Sequence, residues 1–465
     1  MKMNNKLLAT IAVVIIAVIA VVGAWQLNVF GPAPSAEARN IKIGVVAGTQ
    51  TVEGPDIERA ARMAIDEINA AGGVRVEEWH TNVQIELVLV DTVDDAAGST
   101  AGPVTRAITE DNVDLLVGGA TTGGTLNGQI PAINNRVPYI ITGASLNLVT
   151  RRGSLPADNP LFIDDPEGMS YMFHYCTTIA DYTETVTHFL ADSVKPTIDS
   201  EYAFDSARKL RLAVIYRDDG YGRGLRDLTS SIIAEDNLPI EVVGTAAYTA
   251  TATTYQSQLI SIKEANPDAV YIAGFTPDTA EIIKEGINDV GLKSIYIAVE
   301  ICEDPQLYSL LGETGANQIL ESKIATQWQG DTWYLPQVGV YVENYMEKYD
   351  GIIPGMLGAD TYDAVYIAKN AFERAGTLNK VDVRNALETT DMPQSLLMLD
   401  NERIVFSTGT NYHEILPRTF IEQLIWNSDN DQLKPFVVYP ETMPGVNSFK
   451  QRDFVLPGGY EPGSP

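Results

Sequence analysis

IKIGVVAGTQTVEGPDIERAARMAIDEINAAGG, residues 41–73, is the stretch whose pattern settles the fold class. Ile41 to Ala47 is a β-branched, nearly uncharged run, as in a strand covered on both faces. From 55 to 71, Ile57, Ala60, Ala61, Ala64, Ile65 and Ile68 fall on one helical face, and Gly72-Gly73 ends the helix. A buried strand followed at once by an amphipathic helix opens a βαβ unit and predicts a parallel sheet. Further strands are expected at 84–91, 115–118 and 139–142, with helices between them. The same grammar restarts at 211–216, 240–248, 269–273 and 294–298, separated by helical stretches such as 223–236 and 279–290. The halves also echo locally: Asn112-Val-Asp-Leu-Leu-Val-Gly-Gly119 parallels Asn266-Pro-Asp-Ala-Val-Tyr-Ile-Ala-Gly274. The expectation is an α/β chain of two similar, doubly wound parallel-sheet lobes.

A chain of 465 residues exceeds one ordinary core, which agrees with two lobes plus appendages. Its formal charge of −29 repels nucleic acid and anionic headgroups, so no nucleic-acid partner is expected. Such a surface also suits a saline or extracellular setting. Cys176 and Cys302 form no ligand cluster and read as unpaired thiols. His80, His174, His188 and His413 are scattered without metal-ligand spacing. There is no Gly-x-Ser-x-Gly elbow and no phosphate loop, and Asp218-Asp219 reads as solvated loop charge rather than an acid–base pair. The chain is therefore expected to be no enzyme and to carry no cofactor or metal.

At the amino terminus, Lys2 and Lys6 precede an uncharged run whose apolar part spans 7–25. A secretory h-region stops at about 7–15 residues and a membrane span needs roughly 17–25, so 1–30 reads as a transmembrane anchor. The basic flank stays inside and the remainder lies outside the cell. Cleavage after Ala36-Glu37-Ala38 is the alternative. Residues 31–40 form a tether, 153–170 and 195–208 read as loops, and the Pro- and Gly-rich tail from 435 reads as irregular.

Ligands of open α/β sheets bind beyond the carboxyl ends of the strands. That rule nominates Gly118-Gly-Ala-Thr-Thr-Gly-Gly-Thr125 and Gly143-Ala-Ser-Leu-Asn147 in the first lobe. Free amides at a helix start, with threonine hydroxyls beside them, suit a carboxylate. The plainer reading of each is a glycine turn with capping residues. The second lobe nominates Asp218-Asp-Gly-Tyr-Gly222, Gly274-Phe-Thr-Pro-Asp278 and Val299-Glu-Ile-Cys302. Glu300, a carboxylate directly after an apolar strand, requires solvent, a partner or a ligand to satisfy it. Its plainer reading is a rim carboxylate, and that of Tyr221 is a packed loop aromatic.

At these residues the chain resembles the type I periplasmic binding proteins, in their leucine/isoleucine/valine-binding branch. The matching stretches are Ile41-Lys-Ile-Gly-Val-Val, Ala60 through Gly73, Arg217-Asp-Asp-Gly-Tyr-Gly-Arg-Gly-Leu, Asn266-Pro-Asp-Ala-Val-Tyr-Ile-Ala-Gly and Tyr362-Asp-Ala-Val-Tyr. The resemblance implies a clamp with three crossover strands: 41–172 and 328–395 as lobe one, 173–327 and 396–440 as lobe two, 441–465 as an irregular tail. It implies that Thr122 and Ser145, with Thr121 and the backbone at Gly143, hold a ligand carboxylate, and that Glu300 receives the ligand's ammonium. Tyr221 matches a pocket aromatic; Phe275 stands where the family has a tyrosine, and the first loop is altered to Gly48-Thr-Gln-Thr-Val-Glu-Gly54. Trp328 and Leu357 are further candidates for the pocket wall. The implied ligand is an α-amino acid, with a neutral amide or urea-like solute as competitor. The implied partner is the permease of an ATP-driven importer; a ligand sensor of the same fold is the other reading.

Overall fold

The computed structural model describes residues 37–299, 305–322, 335–409, 412–443 and 449–463. The anchor expected at 1–30 lies outside them, and among the described residues no helix is long and apolar enough to cross a membrane.

Lobe one is built on five parallel strands: β1 (Ile41–Ala47), β2 (Ile85–Asp91), β3 (Leu115–Gly118), β4 (Tyr139–Ile141) and β5 (Met172–His174). Their order is β2-β1-β3-β4-β5. Lobe two carries β6 (Leu210–Arg217), β7 (Ile240–Tyr248), β8 (Ala269–Ala273), β9 (Ile295–Ala298) and β10 (Ile319–Ser322), which repeat that order as β7-β6-β8-β9-β10. An antiparallel hairpin, β11 (Phe420–Asn427) and β12 (Gln432–Tyr439), extends the second sheet beyond β10. In each lobe the winding reverses beside the first strand, so a crevice opens between the ends of β1 and β3, and of β6 and β8.

The sequence echo has a physical cause. Asp114 accepts the Lys42 amide at 2.9 Å and Asp268 accepts the Arg211 amide at 2.7 Å, so each aspartate pins the start of its lobe's first strand. Asn112 and Asn266, two residues earlier, both take left-handed backbone, which asparagine tolerates well.

Two sequence readings are corrected. Residues 195–202 form a helix, Lys195–Tyr202, rather than a loop; Ile198 is buried and Lys195 pairs with Asp199 one turn on at 2.5 Å. Residues 435–439 belong to β12 and not to an irregular tail, because Pro435 needs no amide partner at an edge. Residues 449–463 take neither helix nor strand and are strapped to lobe two, with Gln423 exchanging hydrogen bonds with the Val455 backbone and the Gly463 amide on Asp268.

The chain passes between lobes after β5 and again before β11. These passages are bonded together: His174 N–H donates to His413 O at 2.8 Å, and Ile415 N–H donates to His174 O at 3.2 Å. The connection from Ser322 in lobe two to Leu335 in lobe one lies in part outside the described residues.

Burial pushes the carboxyls of Asp56, Asp95, Asp181 and Asp363 up to about 6. Each binds its proton more tightly in the fold than in the unfolded chain, so the native state takes up protons first as pH falls, and stability rises. Salt acts in the same direction by screening the charge of −29. The melting temperature is expected to rise from about pH 8 to about pH 5.5 and again with added sodium chloride. A calorimetric scan in which it falls across that pH interval contradicts this account.

Candidate ligand-binding site

The floor of the site in lobe one is the turn from β3 into α1 (Thr122–Asn134). Gly118 and Gly119 have φ of +103° and +88°, and a Cβ on Gly119 would lie 2.4 Å from the Tyr139 hydroxyl. Only glycine fits both conditions. Thr121 is the N-cap: its hydroxyl accepts from Gly124 N–H at 3.0 Å and donates to Asp95 O at 2.6 Å, while its amide donates to Asp95 Oδ2 at 2.6 Å. Thr121 thus holds the turn, and Thr122, buried, heads the helix. The turn after β4 packs on this one. Ala144 N–H donates to Gly119 O at 3.1 Å, and a Cβ on Gly143 would sit 2.8 Å from Ala120 Cα and 3.1 Å from a Leu357 methyl. Ser145 is buried and accepts a hydrogen bond from Tyr182 OH at 2.9 Å.

The opposing wall in lobe two starts from β6. Asp219 caps α2 (Gly220–Glu235) by accepting from Gly222 N–H at 2.9 Å, and Asp218 pairs with Arg223 at 2.6 Å. Those bonds give both carboxylates structural work. Tyr221 is buried, its ring 6.1 Å from that of Phe275, and the Arg217 guanidinium lies 4.8 Å above the other ring's centroid. Phe275 precedes α3 (Thr276–Lys284) and packs against a core cluster that joins lobe one with Phe420 and Val437 of the hairpin. A Cβ on Gly220 would lie 3.8 Å from the Thr122 methyl. The structure therefore brings Thr122, Gly143, Ser145, Tyr221 and Phe275 to one interlobe region. Glu300, Cys302 and Trp328 lie outside the described residues; Cys176 is buried.

Two acidic residues of lobe one, Glu53 and Asp95, stand beside this floor and were not selected from the sequence. Glu53, in the altered first loop, is 8% exposed. Burial pushes its carboxyl up to about 7, with the negative charges of Asp95 and Asp278 adding to the effect. Asp278 accepts from Tyr248 OH at 3.2 Å and from Tyr255 OH at 3.0 Å. A glutamate between Val52 and Gly54 in a loop reads as solvent-exposed, and only the packing reveals otherwise. Among the described residues no group of three or more histidine, cysteine, aspartate or glutamate side chains is placed to hold a metal ion. A cavity of about 290 Å³ opens beside the first loop, between Val52, Asp56 and Arg59 of lobe one and Pro305 and Gln306 of lobe two.

A family model described as "Periplasmic binding protein" matches residues 40–411. The Leu/Ile/Val-binding protein homolog 7 of Brucella abortus (strain 2308) is 23% identical over 370 residues, covering 78% of this chain and 84% of the relative. Solved structures share the fold. A leucine binding protein, LivK, from Thermotoga maritima superposes with a TM-score of 0.66 at 19% identity, covering 87% of this chain and 100% of its own. The branched-chain amino acid transporter substrate binding protein LivJ of Streptococcus pneumoniae, in complex with isoleucine, does so with a TM-score of 0.66 at 20% identity, covering 86% and 100%.

The floor can be tested through stability. Thr121→Val removes the cap and should cost about 1 kcal/mol. Gly119→Ala adds left-handed strain to a steric clash and should cost about 2 kcal/mol or more. Urea titrations that rank the two variants in the opposite order would contradict the geometry described.

Proposed function

Because this chain belongs to the periplasmic binding protein family, we propose that it captures a small α-amino acid between its lobes and presents it to the permease of an ATP-driven importer. It acts outside the cytoplasm, without catalysis, and residues 1–30 tether it to the membrane. The observation that carries this reading is the close approach of the Thr122 methyl to the backbone of Gly220, which sets a helix start of lobe one against the Tyr221 turn of lobe two.

The ligand carboxylate lies at the amino end of α1, where unpaired amides and the helix dipole favour an anion. The Thr122 and Ser145 hydroxyls donate to it, Ser145 keeping its bond from Tyr182 as an acceptor. Thr121 contributes by fixing the turn rather than by contact, since its hydroxyl proton is committed to Asp95. Glu300 follows Val299, the buried residue after β9, and receives the ammonium. A carboxylate and an ammonium form a charge-assisted pair that is strongest when water is excluded. Tyr221 and Phe275 wall the side chain; Phe275 contributes surface but no hydroxyl.

Closure is coupled to binding because the carboxylate site lies on one lobe and the ammonium site on the other. A ligand that touches both stabilises the closed arrangement by its differential affinity for it. The names of the Brucella relative and the Streptococcus neighbour, both concerned with branched-chain amino acids, support an amino acid over a neutral amide.

Calorimetry with a panel of amino acids and amides tests the reading. Glu300→Gln should weaken an amino-acid ligand by about 2 kcal/mol, roughly thirtyfold, and leave any neutral amide nearly unchanged. Amino-acid affinity that survives Glu300→Gln intact removes Glu300 from the site. Binding of amides alone replaces the amino acid with the competing solute.

A further inference from the structure

We propose that the solute carries a carboxylate at its far end, and that this carboxylate enters the cavity beside the first loop and pairs with the guanidinium of Arg59. This rests on the solute-binding reading above and names the chemistry of the solute's side chain.

The cavity measures about 290 Å³ and is walled by both lobes. Val52, Ile352 and Ile353 of lobe one and Pro305 of lobe two form its apolar walls, and Ile352 is 44% exposed there. Its charged side chains are Asp56 and Arg59, one turn apart on the first helix of lobe one, Gly54–Ala70. A pocket of this kind takes its specificity from the few polar groups that have bonds to spare.

Asp56 has none. It is buried, its Oδ1 accepts from Tyr345 OH at 2.7 Å, and its Oδ2 accepts from the amides of Gly355 and Gly358 at 3.1 and 2.8 Å. Arg59 is the opposite case. Its Nε donates to Tyr345 OH at 2.8 Å and its carbonyl oxygen accepts from Tyr349 OH at 2.7 Å, so two tyrosines fix the residue from backbone to guanidinium. The Tyr345 hydroxyl lies between the two charges, accepting from Arg59 and donating to Asp56. The aspartate is thereby satisfied without taking a hydrogen from the guanidinium. Neither Nη group of Arg59 has a hydrogen bond or an ion pair among the described residues. A guanidinium presents five N–H donors in a planar fork, and with Nε committed the Nη pair is the edge left for two parallel bonds to a carboxylate.

The cavity is tied to the floor of the ligand-binding site through one helix start. Leu357, whose methyl a Cβ on Gly143 would meet at 3.1 Å, is followed by Gly358, whose amide is bonded to Asp56. Both lie in the first turn of helix Met356–Ala375, which holds the floor on one side and the wall bearing Arg59 on the other. Pro305 comes from lobe two, so closing the lobes over the cavity strips water from the guanidinium. An unpaired guanidinium opposes that loss of water, and a bidentate carboxylate offsets it. An acidic solute is thus the kind that lets this end of the cleft close.

The test is calorimetry of the full chain with glutamate, its neutral isostere glutamine, leucine and glutarate. Glutamate should bind more tightly than glutamine by about tenfold or more, the difference a charge-assisted pair supplies. Arg59→Gln should erase that preference and change leucine affinity less than about twofold, with folding checked by melting temperature. Arg59→Lys, which keeps the charge and loses the fork, should retain part of the preference. The comparison of glutamate with glutamine on the natural chain holds whether or not the variants fold. Glutamate and glutamine binding alike, or leucine binding more tightly than either, overturns this inference and leaves the amino-acid reading standing, as does Arg59→Gln weakening glutamate and leucine equally. Glutarate binding without any amino acid, and lost in Arg59→Gln, keeps the carboxylate site and removes the α-amino-acid reading. Binding by none of the four overturns both.

Discussion

Three backbone hydrogen bonds underlie the site: Gly119 N–H to Val46 O, Thr142 N–H to Gly118 O and Ala144 N–H to Gly119 O. They stitch the ends of β1, β3 and β4 into one floor. An amide left unpaired in so buried a place costs about 1–3 kcal/mol, so the turns cannot drift apart cheaply. Glycine at 118 and 119 is the condition for these bonds, since a side chain there would collide with Val46 O or the Tyr139 hydroxyl. The cap at Thr121 and the hydroxyls at Thr122 and Ser145 then arrive together without tuning of their own.

Several buried carboxylates are answered by partners from distant parts of the chain. Asp56 accepts from Tyr345 OH and from the amides of Gly355 and Gly358, and so ties helix Met356–Ala375 to the first helix of lobe one. Asp268 accepts from Arg208, the Arg211 amide, Tyr460 and the Gly463 amide, joining sheet and tail at one point. Glu414 takes Thr150 and Arg151 across the passage between lobes. Removing one partner from such a centre leaves a charge without compensation, which is why these read as structural. Glu53 and Asp363 each keep one oxygen without a hydrogen-bond partner among the described residues.

The lobes share one topology but not one periphery. Both begin with a strand pinned by an aspartate, and both bend their first loop back by placing a glycine against a carbonyl, Gly54 on Gly48 O and Gly222 on Arg217 O. Lobe two alone adds the β11–β12 hairpin and the tail strap. The hairpin lies at one edge of the sheet and the tail reaches the starts of β6 and β8 at Asp268, so the second lobe is stiffened away from the carboxyl ends of its strands.

Much of the scaffold was legible because parallel strands buried on both faces must be continuous apolar runs. Ile41–Ala47, Leu115–Gly118, Ala269–Ala273 and Ile295–Ala298 all announce themselves in that way. The turns carrying Thr122, Ser145 and Tyr221 were legible too, as small polar stretches directly after buried strands. The hairpin was not: Glu422 and Gln423 interrupt its first strand and Pro435 its second, and their acceptance depends on partners distant in the chain. Thr121 was placed in the right turn, but whether its hydroxyl faces a ligand or Asp95 is a matter of hydrogen-bond geometry that no spacing encodes. By itself the sequence determined the order of strands and helices, the two-lobed plan and the turns at the strand ends, because local periodicity and glycine sterics act within a few residues. Only the tertiary structure decided that Glu53 is buried, because the exposure of a carboxylate depends on what surrounds it, and here its loop folds back until Gly54 meets Gly48 O.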